Sequence, residues 1–371
     1  MNPPASTEPN LLYTDVEDSL RATVRDLLGA RCPSDAVTAM YDGDRALVAP
    51  LWRSVAADLG LAGLLVPESS GGAGASAREA AVVLEELGRA VAPVPFLTSS
   101  VVATVVLGAV ANDALQAALA AGERTAALAV PLTATPMSFT PTDAVVEDGR
   151  LTGTVTSVAG ALDADVLLVP VGVERGVEVH AVAASAATIS PVTSLDMSRQ
   201  VADVSFDGAA GELVVEAAAG GAAVRDALLA GAALLASEQV GIAQWCLDTT
   251  VAHLKERRQF GRVVGGFQAL KHRLADLYTL VEQARAAARY AAATVAEGDP
   301  DAEVAASVAQ AYCSDVAVRA AEECVQLLGG IGMTWEHPAH LYLKRAKADQ
   351  IAFGAPSVHR AHLATLVDLP A

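Results

Sequence analysis

The chain has 371 residues, enough for two or three cores rather than one. Its 43 acidic and 25 basic residues leave a net charge of −18. A field of that sign repels nucleic acid and anionic membrane, so any anion site has to be made locally. At 53% hydrophobic but only 4% aromatic, the core is made of Ala, Val and Leu, which favours closely packed helices.

Residues 1–10 are polar and proline-bearing and read as a loose lead-in, without the basic stretch and apolar run of a secretory signal. Helical spacing begins at Tyr13 and runs to Leu28 through Val16, Leu20, Val24 and Leu27, with Thr14 or Asp15 placed to cap it and Pro33 beyond its end. A second helix passes through Leu51, Val55 and Leu59, and a third runs from Glu79 to Val91. Residues 97–121 add one or two apolar helices. The apolar runs at 101–121 and 217–236 are broken by Asp113, Arg225 and Asp226, so they read as buried helices rather than membrane spans. Together these predict an all-helical first domain over residues 1–122.

The period then changes. Ala126–Val130, Ala144–Glu147, Leu151–Thr156, Val166–Val169, Val177–Val182 and Val201–Phe206 are short, mostly β-branched and separated by turns, one of them Glu147-Asp148-Gly149. They predict a small β-barrel or sandwich over residues 123–216. Helices return over 222–256, 266–296, 301–328 and 337–352, an antiparallel four-helix bundle within a third domain of residues 217–371. The fold class is α+β. No GxGxxG follows a strand, so the bundle glycines do not indicate a Rossmann domain. Cys32, Cys246, Cys313 and Cys324 lack CxxC spacing and read as reduced core thiols of a cytoplasmic protein. His272, His340 and His359 lack metal-ligand spacing, so no metal is expected.

Two junctions in the third domain hold most of the candidate chemistry. Arg257-Arg258-Gln259-Phe260-Gly261-Arg262, then Gly265-Gly266-Phe267-Gln268, links two helices inside a basic cluster from Lys255 to Arg273. Such a turn can present guanidinium and backbone N–H groups to a phosphate, although a solvated helix end would also favour cations. Gln326-Leu327-Leu328-Gly329-Gly330-Ile331-Gly332 links the next two helices. Its glycines allow close approach of backbone to a ligand, or simply a left-handed helix end. Glu336 and His337 precede Pro338, where capping by Glu336 is the plainer reading.

The α–β–α order, these two junctions, Thr334-Trp335-Glu336-His337-Pro338 and the earlier Glu85-Glu86-Leu87-Gly88-Arg89 resemble acyl-CoA dehydrogenases over nearly the whole chain. The resemblance implies FAD at a subunit interface, α,β-desaturation of an acyl-CoA thioester, an oligomer, and an electron-transfer acceptor protein. It implies that Arg257, Phe260, Gln268, Gln326, Leu328, Gly329 and Gly330 meet the pyrophosphate and adenosine end of a neighbour's FAD. Three departures stand out. The family's usual glutamate base falls on Phe353, which cannot take a proton. The alternative base and its following arginine fall on Gly231 and Ala232, which leaves Glu238, two turns on, as a candidate base or else a structural acceptor. The family's Thr-Glu-Pro and Thr-Asn-Gly segments around the flavin ring are replaced by Leu132-Thr133-Ala134-Thr135-Pro136 and Thr156-Ser157-Val158. The pattern resembles the smaller, degenerate subunits of heteromeric actinobacterial acyl-CoA dehydrogenases. The expectation is therefore a subunit whose partner supplies the base. The alternatives are a self-sufficient flavoenzyme using Glu238, or an acyl-CoA-binding subunit without a redox role.

Overall fold

Thr14 opens the first helix, α1 (Asp15–Arg31), with a reciprocal cap: its hydroxyl accepts the Glu17 N–H while the Glu17 carboxylate accepts the Thr14 N–H. The computed structural model describes residues 10–108 and 113–367. The proline-bearing start through residue 9 and part of the helical prediction at 97–121 lie outside them. The N-terminal region continues with α2 (Ser34–Ala39), α3 (Val48–Arg53) prolonged by a wider turn over Ser54–Asp58, and α4 (Ala77–Arg89). A wide-turned segment, Phe96–Ala103, then leads into α5 (Thr104–Gly108), and α6 (Asp113–Ala120) follows. Helix α2 was not predicted; six residues are too few to show a period.

The middle region holds β1 (Ala126–Leu128), β2 (Val145–Glu147), β3 (Arg150–Ala159), β4 (Val166–Val173), β5 (Gly176–Ala183), β6 (Thr188–Pro191) and β7 (Val201–Val215). The order is β1-β4-β5-β7-β3-β2, with β6 also on β7; β1 and β4 run parallel and the other pairs antiparallel. The long β7 pairs with β3 along residues 201–210 and with β5 along 211–215, so one strand serves both halves of a bent sheet. Bridges Pro131–Val158 and Thr142–Val171 tie the halves together elsewhere, giving a barrel-like wrap. Alternation sorts the side chains between two cores. Leu167, Val169 and Val171 pack inside the sheet with Leu151, Val155 and Phe206, while Val166 and Leu168 face the helices. Both faces of β4 are therefore covered, which explains its unbroken apolar sequence.

The C-terminal region is built on α7 (Ala217–Glu256), 40 residues long. By length and composition α7 would cross a membrane, yet most of its apolar window is buried against the rest of the chain, as in a core helix. Helix α4 crosses it at a pair of glycines. A Cβ on Gly241 would lie 1.9 Å from the Glu85 carbonyl, and one on Gly88 would lie 2.1 Å from the Glu238 carbonyl. A two-strand hairpin, β8 (Arg258–Gln259) and β9 (Arg262–Val263), turns the chain into α8 (Gln268–Glu297), followed by α9 (Ala302–Leu328), α10 (Ala339–Ile351) and α11 (Pro356–Leu366). The expected bundle thus gains a fifth helix, α11, which packs on α9 and starts with proline at its first position.

Candidate active site and cofactor-facing end

Helices α7 and α9 end, and α8 begins, at the same end of the bundle. The ion pair Arg273–Glu323 (2.6 Å) ties the start of α8 to the last turns of α9. The structure thereby brings Arg257, Phe260 and Gln268 to the same end as Gln326, Leu328, Gly329 and Gly330. Phe260 (φ +51°) and Gly261 (φ +75°) form the two-residue turn of the β8–β9 hairpin, both in the left-handed region. Phe260 is 89% exposed, and its ring meets the edge of Phe267, whose face is covered by the Arg262 guanidinium at 3.8 Å. Arg257 and Arg258 are exposed, and among the described residues neither has a carboxylate partner. Gln268 opens α8 and is exposed; Gln326 and Gly330 are exposed as well, while Leu328 is buried beneath them. Gly329 ends α9 at φ +70°, ψ −143°, which is outside the ordinary left-handed cap and open to almost no residue but glycine.

The second set of residues lies far from the first. Gly231 precedes Arg257 by 26 residues on α7 and its cap, on the order of 39 Å at 1.5 Å per residue. The two places that the resemblance assigns to a carboxylate base, Gly231 and Phe353, are in contact. A Cβ on Gly231 would meet the Phe353 ring at 2.8 Å, and the ring is only 5% exposed. Phe353 sits at φ +54°, an unusual conformation for a bulky residue, fixed from both sides. Its N–H donates to the Leu132 carbonyl (2.9 Å), and its own carbonyl is 3.1 Å from His359 Nε2. The Leu132 N–H in turn donates to the Ser157 carbonyl (3.0 Å). The strand end expected beside a flavin ring is thus bonded directly to the loop expected to carry the base. Thr135 Oγ1 turns back to Ser138, and Thr133 and Thr156 are exposed.

Beneath Phe353 lies a buried ionic cluster drawn from three elements. Arg345 on α10 donates to Glu238 Oε1 (2.6 Å), Ser198 Oγ (2.7 Å) and Asp196. Arg199 donates to Glu238 Oε2 and Asp349 Oδ1, both at 2.5 Å. Both oxygens of Glu238 are therefore taken by guanidinium groups. Gln310 Nε2 donates to the carbonyls of Asp349 (3.0 Å) and Ala352 (2.9 Å), pinning the end of α10. Three carboxylates face two guanidinium groups here. Burial pushes the Asp349 carboxyl up to about 8, with Arg199 pulling it down and Glu238 adding to the rise. A proton on Asp349 balances the cluster, and among the described residues Asp349 Oδ2 has no hydrogen-bond partner. For Asp196 burial works upward too, but Arg345 and Ser198 outweigh it and hold its carboxyl below the ordinary value. Sequence reasoning singled out Glu238 but missed Asp196, Arg199, Arg345 and Asp349. The i, i+4 spacing of Arg345 and Asp349 on a partly apolar helix was the available signal. Glu336 is exposed and does not cap α10; His337 Nδ1 accepts the Ala339 N–H instead (3.2 Å).

Residues 14–122 match the acyl-CoA dehydrogenase N-terminal domain, and residues 218–367 match the acyl-CoA dehydrogenase C-terminal domain. The chain belongs to the acyl-CoA dehydrogenase family. It is 33% identical to acyl-CoA dehydrogenase IpdE2 of Mycolicibacterium smegmatis, over 92% of this chain and 96% of that protein. It is 36% identical to acyl-CoA dehydrogenase FadE34 of Mycobacterium tuberculosis over 90% of this chain, but spans only 45% of that longer protein. Among solved structures, a chain of the ChsE4–ChsE5 complex from M. tuberculosis superposes with a TM-score of 0.85 at 28% identity, covering 98% of this chain and 100% of that one. Members of the family are FAD-dependent oxidoreductases. At the Leu132–Phe353 junction the strand end and the loop are hydrogen-bonded to each other and the Phe353 ring packs on Gly231, so no carboxylate stands where the resemblance places the base. At the bundle end Arg257, Arg258 and the left-handed Phe260-Gly261 turn stand exposed, the kind of group that could meet a phosphate.

Proposed function

We propose that this chain is one subunit of an FAD-dependent acyl-CoA dehydrogenase and works with a second chain that holds the flavin ring and supplies the base. The observation that carries this reading is the pairing of a closed centre, Phe353 packed on Gly231, with an open bundle end where, among the described residues, Arg257 and Arg258 have no carboxylate partner. When bound, FAD accepts the hydride lost from the acyl group. The residues of this chain bind and orient. Arg257 offers charge-assisted bonds to a phosphate, Gln268 and Gln326 offer amides, Gly329 and Gly330 let backbone come close, and Phe260 offers an apolar cover. The likeness to a chain of a two-protein complex, ChsE4–ChsE5, supports a partner of a different sequence. Against a relocated base at Glu238 stand the two guanidinium groups that occupy both of its oxygens.

Co-expression with a second dehydrogenase chain tests the reading. The expected complex carries flavin, with fewer flavins than subunits, while the chain purified alone is colourless. Arg257→Ala should weaken FAD retention by about 10- to 100-fold, the worth of a hydrogen bond to a charged group, with the chains still associated. Stoichiometric FAD and turnover from the chain alone would overturn the proposal. A colourless complex that binds acyl-CoA would instead point to a subunit without a redox role.

A further inference from the structure

The turn that carries Gly329 and Gly330 continues through an exposed apolar stretch, with Ile331, Met333 (82% exposed) and Trp335 (61% exposed). Its first half is anchored under the end of α9, where a Cβ on Gly332 would meet the Val325 carbonyl at 2.5 Å. Its second half is held by aromatic rings and a cation. Lys344 on α10 places its ammonium 3.9 Å from the ring centroid of Trp335 and 3.9 Å from that of Tyr41. The two rings stand edge to face, 5.8 Å apart. His340, one helical turn before Lys344, lies against Trp335 at 4.5 Å, and its Nδ1 accepts from the ammonium at 3.3 Å.

The cage joins regions distant in sequence. Tyr41 belongs to the short turn after α2, and its hydroxyl donates to Asp196 Oδ1 (3.4 Å) of the buried cluster. Trp335 belongs to the turn at the bundle end, and Lys344 neighbours Arg345. Burial and the Lys344 charge push His340 down to about 4, so at neutral pH its Nδ1 keeps a lone pair for the ammonium. Two ring faces are good partners for a cation, and the attraction grows as water is excluded. Without that cation an indole 61% exposed, following three glycines, would be left with the edge of Tyr41 and the His340 ring to fix it.

We propose that Lys344, with Tyr41 and Trp335, is a positioning residue that holds the Gly329–Pro338 turn in the form that meets a partner-held dinucleotide. This rests on the reading under Proposed function. Lys344 is partly exposed and lies outside the ionic cluster, so Lys344→Met is compatible with folding, and Lys344→Arg keeps the cation over the rings.

In the chain alone, amide hydrogen exchange over residues 329–338 should be about tenfold faster in K344M than in wild type and restored in K344R, with α7 unchanged. Equal exchange in K344M and wild type would overturn the proposal. In the complex with the partner chain, FAD release should be about fivefold faster in K344M and restored in K344R. A loosened turn with unchanged FAD release would overturn the cofactor half of the proposal while leaving the Arg257 reading standing. A wild-type complex that holds no FAD overturns the functional reading and that half together; the exchange measurement still decides whether the cage holds the turn.

Discussion

Phe260-Gly261 and Phe353-Gly354 are the same local structure in opposite surroundings. Each phenylalanine sits near φ +50° (+51° and +54°), and each is followed by a glycine at positive φ (+75° and +110°). Such a backbone costs on the order of 1–3 kcal/mol for a bulky residue and persists only where something over-determines it. At Phe353 the determinants are visible: a ring packed on Gly231, an N–H bonded to Leu132 and a carbonyl beside His359. At Phe260 the only ring contact among the described residues is with Phe267, and the residue is 89% exposed. The contrast teaches where the molecule is finished and where it is not. The centre is closed by its own side chains. The bundle end keeps a strained turn at Phe260-Gly261 and an exposed Arg257 and Arg258 without a carboxylate partner among the described residues.

The closed centre should break hardest. Arg345→Met removes a guanidinium from Glu238 and Asp196 and leaves buried carboxylates short of a cation, at a cost of about 3–5 kcal/mol in denaturant unfolding. A loss under 1 kcal/mol would mean that the cluster is not what holds the three regions together. Next comes the ring contact itself. Gly231→Ala pushes a methyl to within 2.8 Å of the Phe353 ring and should cost about 1–3 kcal/mol. Combining it with Phe353→Leu should recover part of that loss, and strict additivity in the double-mutant cycle would argue against direct contact. Restoring a carboxylate by Phe353→Glu should not produce turnover in the chain alone, because Leu132 remains bonded to the loop.

Asp349 gives the centre a pH signature. Its folded carboxyl is raised to about 8, from an unfolded value near 3.8. The folded chain therefore holds one proton more between these values, and the stability this proton supplies is complete below about pH 4 and lost as pH rises toward 8. Asp349→Asn removes that dependence. Comparing the two proteins by denaturant unfolding at pH 5 and pH 8, wild type should lose ground to the variant at the higher pH. Parallel curves would mean that Asp349 ionises normally.

The two regions also differed in how far the sequence reveals them. The bundle end was readable because its residues are consecutive: arginines, glycines and amides stand within a few positions, and helix ends place them. The strands of the sheet were readable from β-branched runs, and α1 from Thr14 and Glu17. Helix α11 was not, since His359, Arg360 and His362 blur its apolar face, and β6 was not, since four residues ending at Pro191 show no alternation. The centre was readable only as an absence, phenylalanine where the resemblance places a glutamate. Contact between Gly231 and Phe353, and between Asp196 and Arg345, joins residues more than 100 positions apart, which no local period encodes.

The smallest expected effect separates the two phenylalanines most cleanly. Asparagine-glycine is the preferred pair for a two-residue hairpin turn with both residues left-handed, so Phe260→Asn should stabilise the chain alone by about 1 kcal/mol or leave it unchanged. If Phe260 is there only to close the hairpin, that is the whole effect. If its exposed ring covers part of a neighbour's cofactor, the same substitution weakens FAD retention in the complex by a few-fold while the chain alone becomes no less stable. Opposite signs in the two measurements would show that the strain at residue 260 serves another molecule. A loss of stability in the chain alone would remove that argument and make Phe260, like Phe353, a residue that its own fold requires.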